Sequence, residues 1–134
     1  GDDNAKVEIP DEPAKSEAVG EDPNKIFVSV EQNPEYPGGP EALMNDLNKN
    51  AKYPPQAREN NIQGKIYVSF VVEKNGTVSN VKVLRGAELG GGLADAAVAA
   101  VKKLKTFTPG KQNGNAVRVF YNVPVSFVLA TEDN

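Results

Sequence analysis

Between residues 65 and 73 apolar and polar positions alternate, with Ile66, Val68, Phe70 and Val72 on one face and Lys65, Tyr67, Ser69 and Glu73 on the other. A repeat of two is the mark of a strand with one face buried. Asn75-Gly76 follows as a tight turn, and residues 77–85 return as the second strand of a hairpin. The apolar phase slips between Val78 and the pair Val81 and Val83, which predicts a bulge or a change of face near Ser79 and Asn80. A second alternation covers residues 117–129. One face carries Val117, Val119, Tyr121, Val123, Val125, Phe127 and Leu129, and the other mixes Arg118, Phe120, Asn122, Ser126 and Val128. Pro124 lies inside this long strand and has no N–H for a ladder, so one side is expected to be unpaired or to carry a bulge. The expectation is an edge strand. Ile26, Val28 and Val30 predict a further short strand.

Helical spacing occurs in three places. Leu93, Ala96, Ala97, Ala100, Val101 and Leu104 fall at i, i+3, i+4, i+7, i+8 and i+11 and predict a helix over residues 93–105. Asp95 near its start and Lys102, Lys103 and Lys105 near its end suit the helix dipole, and the lysines read as a solvated helix end. Pro40, Leu43 and Leu47 predict a helix over 40–49, and Tyr53-Pro54-Pro55 opens one over 54–62 that Gly64 stops. Residues 86–92 are rich in glycine and precede a helix. They match neither a lysine-ended phosphate loop nor the spaced dinucleotide fingerprint, so a flexible connection is expected.

Composition narrows the chemistry. The chain has 134 residues and neither cysteine nor histidine, which removes disulfides, thiol catalysis, the commonest general base near neutral pH and the commonest zinc ligand. The carboxylates Glu31, Glu35, Glu41, Asp46, Glu59, Glu73, Glu88 and Asp95 fall on turns and exposed faces. No pair is evidently held across one cleft, as carboxylate catalysis requires. No enzyme is expected, and no cofactor or metal. The first 25 residues carry eight acids against three lysines, and the remaining 109 carry ten acids against twelve bases. That positive balance is too weak to suggest electrostatic capture of nucleic acid. Residues 1–24, with Pro10, Pro13 and Pro23, show no period and are expected to be an acidic linker. Residues 25–131 would form the domain and 132–134 a tail. No apolar run reaches the 18 to 20 residues, roughly, of a membrane span, and the start at Gly1 without a signal pattern reads as an excised fragment.

The order and spacing of the joints resemble the TonB C-terminal family, above all its Bacteroidetes versions. The resemblance covers about residues 26–130. It runs through Pro34-Glu35-Tyr36-Pro37-Gly38-Gly39, Tyr53-Pro54, Ile62-Gln63-Gly64, the strand over 65–72, Asn75-Gly76 and Val81-Lys82-Val83-Leu84-Arg85. It continues through Val101-Lys102-Lys103-Leu104, Phe107-Thr108-Pro109-Gly110-Lys111 and Pro124-Val125-Ser126-Phe127.

The resemblance implies a two-layer α+β fold, a small antiparallel sheet (hairpin 65–85 and edge strand 117–129) packed against helices 40–49, 54–62 and 93–105. It implies a non-enzymatic, periplasmic, inner-membrane-anchored energy transducer that binds the TonB box of outer-membrane TonB-dependent transporters. The peptide would add to the last strand, through Arg118, Val119, Phe120, Tyr121, Asn122, Val123, Pro124, Val125, Ser126, Phe127 and Val128. Their inward side chains read as core, so the claim concerns backbone groups. Tyr53, Pro54, Gln56 and Arg58 are secondary candidates, with packing of the helix start on the sheet as the alternative for Tyr53-Pro54. Energy would come through an inner-membrane proton-channel motor complex of the ExbB/ExbD type, by way of an N-terminal region. A monomer is expected, with a strand-swapped dimer as the hazard of an open edge. The other role considered is an interaction or sensory domain of a membrane metallopeptidase sensor or periplasmic scaffold.

Overall fold

The computed structural model describes residues 22–129; most of the expected linker and the expected tail lie outside them. The chain runs β1 (Ile26–Phe27), α1 (Gly39–Asn50), α2 (Pro55–Glu59), β2 (Gly64–Val72), β3 (Val78–Arg85), α3 (Leu93–Lys102), β4 (Lys111–Gln112), β5 (Asn115–Ala116) and β6 (Arg118–Phe127). Four strands form one sheet in the order β1-β6-β2-β3, and β4 and β5 form a separate small hairpin. β2 is antiparallel to both its neighbours, and β1 runs parallel to β6. The fold is α+β, as expected.

The alternation of β2 decides how the two layers meet. Ile66, Val68, Phe70 and Val72 are fully buried, together with Val123, Val125 and Phe127 of β6, Leu43 and Leu47 of α1, Ala57 of α2, and Leu93, Ala97 and Val101 of α3. Burying each large apolar side chain contributes about 1.5–3 kcal/mol, so this layer is the main driving force for the fold. The hairpin turn is tied to the core at one point. Gly76 has φ +87°, and a Cβ there would collide with the Phe107 carbonyl; the Phe107 N–H in turn donates to the Gly76 carbonyl at 2.9 Å.

The expected phase slip is present. Between Ser69↔Lys82 and Val71↔Ser79, one residue of β2 faces two of β3, and Asn80 sits at φ 50°. A second slip between Tyr67 and Val68 leaves Leu84 without an opposite residue, and its side chain is 58% exposed.

Several boundaries differ from the sequence expectation. The first strand stops at Phe27; Val28 is exposed and Val30 lies outside it. The helix expected over 54–62 is one short turn, because Asn60 and Asn61 leave helical geometry, Asn61 at φ 56°. The helix expected to reach 105 ends at Lys102. The glycine-rich connection contains a 3-10 turn, Ala87–Leu89. The last strand is Arg118–Phe127, so Val117, Val128 and Leu129 lie outside it. It carries no bulge against β2, and it is the second strand of the sheet, since β1 lies outside it for two residues.

Candidate functional site

β6 pairs with β2 through nine consecutive residue pairs, from Gly64↔Phe127 to Val72↔Val119. On its other flank β1 meets only Arg118 and Val119. From Phe120 to Phe127 no strand pairs with that flank among the described residues. Pro124 fixes the parity of the backbone. A proline inside a ladder is accommodated with its nitrogen turned away from the paired strand, and alternate residues of an antiparallel pair direct their N–H and C=O to opposite sides. Since the register with β2 is unbroken, the backbone groups of Phe120, Asn122 and Ser126 share the side of Pro124, and those of Tyr121, Val123 and Val125 serve β2. The free flank is thus a row of donors and acceptors with one donor missing at Pro124.

Each end of this row is fixed by side chains. At the β1 end the Arg118 guanidinium donates Nε to Glu73 Oε1 at 2.7 Å and Nη2 to Glu73 Oε2 at 2.9 Å, and its Nη1 reaches the Asn24 carbonyl at 2.9 Å. Ser79 also donates its hydroxyl to Glu73. The two hydrogen bonds from Arg118 hold the Glu73 carboxyl below its ordinary pKa. This fork ties the chain before β1 to the corner where β2 ends and β6 begins. At the other end the Tyr53 ring meets Phe127 edge-on, with centroids 5.7 Å apart, and donates its hydroxyl to the Ile62 carbonyl. Arg58 lies over the Tyr53 ring at 5.0 Å.

Of the secondary candidates, Tyr53 is therefore beside the end of β6, with Arg58 stacked on it. Pro54 caps α2 and accepts the Arg58 N–H at 3.0 Å. Gln56 is exposed on that turn, its carbonyl taken by Asn60. Val119, Val123, Val125 and Phe127 point into the core, as their alternation indicates, and Tyr121 is half-buried there; Val128, past the strand, is exposed.

Glu73, one of the carboxylates expected on exposed faces, pairs instead with Arg118, 45 residues away in sequence. Only the strand register could have revealed it. Tyr121 packs in an aromatic cluster with Phe70 (5.5 Å), Phe107 (5.3 Å) and, through Phe107, Tyr36 (5.0 Å). Burial raises the pKa of the Tyr121 hydroxyl.

The fold and this flank define a small mixed α+β domain whose long last strand has one side largely unpaired among the described residues. The sequence model of the family described as the Gram-negative bacterial TonB protein C-terminal matches residues 49–129. The chain belongs to this family. Two NMR solution structures of the Helicobacter pylori TonB C-terminal domain are similar to it. The shorter fragment is 21% identical, with 69% of this chain and 95% of that chain covered and a TM-score of 0.48. The longer is 20% identical, with 67% and 79% covered and the same TM-score of 0.48. No curated protein matches.

Proposed function

We propose that this domain is the gripping end of a TonB-type energy transducer, and that it takes the TonB box of an outer-membrane transporter as an added strand on β6. The observation that carries the proposal is the flank from Phe120 to Phe127, unpaired among the described residues and lacking only the Pro124 donor. A foreign backbone can complete its hydrogen bonds there without displacing any strand, because β1 occupies only the first two residues. Main-chain pairing tolerates varied peptide sequences, which suits one transducer serving several transporters. Pulling along a strand also loads many hydrogen bonds in shear, an arrangement suited to transmitting work. The work would come from the proton gradient, through an inner-membrane motor complex of the ExbB/ExbD type that drives a membrane-anchored upstream region. Among the described residues no helix is long and apolar enough to cross a membrane.

The test is titration of the isotope-labelled full chain with a synthetic peptide carrying a transporter's box. Backbone amide shifts concentrated on residues 118–128 are expected, with smaller shifts at Tyr53 and Arg58. Shifts restricted to α1 and α3 would overturn the proposal.

A further inference from the structure

Beside β6 lies a cavity of about 400 Å³ lined by Pro34, Glu35, Tyr36, Gly38, Gly39, Pro40 and Tyr121. Tyr121 is its only wall from the sheet, and none of the lining residues belongs to β2. The other walls come from the loop before α1 and from the first two residues of that helix, all of which precede the stretch that the family model matches. We infer that this cavity is a side-chain pocket that sets the register of the docked strand by accepting one large apolar side chain. The inference rests on strand addition at β6.

Three features support it. First, parity places the pocket where a docked strand would use it. Residues directly opposite in paired strands project to the same face, so the docked residue opposite Tyr121 presents its side chain on the face of the Tyr121 ring. Second, the walls are preformed. Tyr36 is 5% exposed, donates its hydroxyl to Asp46 Oδ2 at 2.6 Å and accepts the Lys105 N–H at 3.0 Å. Glu35 and Thr108 exchange backbone hydrogen bonds at 3.0 and 2.8 Å, and the Gly39 N–H closes a turn on the Tyr36 carbonyl at 2.8 Å. Gly38 has φ +87° and lies so close to α1 that a Cβ would come within 2.7 Å of Ala42 Cβ. The loop is therefore held from both sides before any ligand arrives, which lowers the ordering cost of binding.

Third, the lining selects by chemistry. Its lining residues are two tyrosines, two prolines and two glycines, with Glu35 as the one charged residue. The Tyr121 hydroxyl has no hydrogen-bond partner among the described residues. The rings among these residues can pack on an aliphatic or aromatic side chain, and an acidic one would meet Glu35 and lose its hydration. Backbone pairing alone would let a peptide slide in steps of two residues, since any such step restores the same hydrogen-bond pattern. One filled pocket next to Tyr121 removes that degeneracy.

The experiment uses the isotope-labelled full chain, the box peptide and its alanine-scan series. One peptide side chain should give nuclear Overhauser contacts to the Tyr121 ring and to the Pro34 or Pro40 ring protons. Its replacement by alanine should weaken binding about tenfold, and its neighbours on the opposite face should matter far less. Pro40→Ala, at the exposed start of α1, should weaken the parent peptide about threefold and leave the alanine-replaced peptide unaffected, as coupled contacts do. If residues 120–126 shift but no peptide side chain reaches these rings, or if the Pro40→Ala effect is additive, the pocket is refuted and strand docking stands. If residues 120–126 do not shift, both are refuted.

Discussion

The sheet has two flanks without a long strand neighbour, and they are built differently. β3 is eight residues long, slips register twice against β2, carries Asn80 at φ 50° and bears Lys82 and Arg85. Bulges and charges are the common means by which a sheet edge is closed to other chains. The flank of β6 has neither. From Val119 to Phe127 it holds one unbroken register and no charged residue, and its single local defence is the missing donor of Pro124. One sheet thus shows both treatments, an edge made unfit for pairing and an edge kept fit. The contrast matters because β2 stabilises both through its own two sides, so the difference lies in what the outer strands leave exposed.

A proline placed on one side of β6 or the other should separate the two flanks of that strand most strongly. Val123 is 3% exposed and directs its N–H to β2. Val123→Pro removes a ladder bond inside the core layer and leaves a buried β2 carbonyl unpaired, which should cost about 1–3 kcal/mol before the lost valine packing is added, read as a large loss in a denaturant melt. Asn122 is exposed and directs its N–H to the free flank. Asn122→Pro should leave the melt within about 1 kcal/mol of the parent while weakening box-peptide binding about tenfold or more, measured by calorimetry. If the two substitutions destabilise the fold equally, the assignment of donors to the two sides of β6 is wrong.

The protected edge offers a smaller test. Asn80 holds a left-handed backbone that asparagine tolerates and a β-branched residue does not. Asn80→Val should cost about 1–2 kcal/mol, and Asn80→Gly should be tolerated. A valine that costs nothing would mean the bulge has another source.

These results also show which features a sequence displays. The bulge near Asn80 was visible because it shifts the apolar phase from Val78 to Val81, and the open side of β6 was visible because Pro124 lacks a donor. Both are local signals. The strand β1 was only partly visible: two residues in a parallel pair leave too short an alternation to mark an end, and Val28, though apolar, is 84% exposed. The short α2 misled because Tyr53-Pro54-Pro55 announces a start, whereas the stop depends on Asn61 turning left-handed. The fork of Arg118 with Glu73 and the cavity between Tyr121 and the loop before α1 join segments 45 and more than 80 residues apart. No periodicity carries such information, since it depends on the register of β6 against β2.

The Arg118 fork gives the smallest expected effect, and it bears on where the open flank begins. The hydrogen bonds from Arg118 hold the Glu73 carboxyl below its usual value of 4.5. A folded pKa below the unfolded one means stability that is complete above about pH 4.5 and is lost as the pH falls through the depressed folded value. Both side chains keep solvent contact, 19% for Arg118 and 25% for Glu73, so screening keeps the effect modest. Between pH 6 and pH 3, Glu73→Gln should show a melting temperature that falls by roughly 2–4 °C less than that of the parent. Protonation also removes the carboxylate that fixes the Arg118 guanidinium, the group that donates to the Asn24 carbonyl just before β1. The protection factor of the Phe27 amide, which corrects for the intrinsic slowing of exchange at low pH, should accordingly fall on acidification in the parent, and in Glu73→Gln it should already be reduced at pH 6. Equal protection of Phe27 in both proteins at pH 6 would show that β1 stays in place without the fork, and that the open flank starts at Phe120 for reasons of backbone pairing alone.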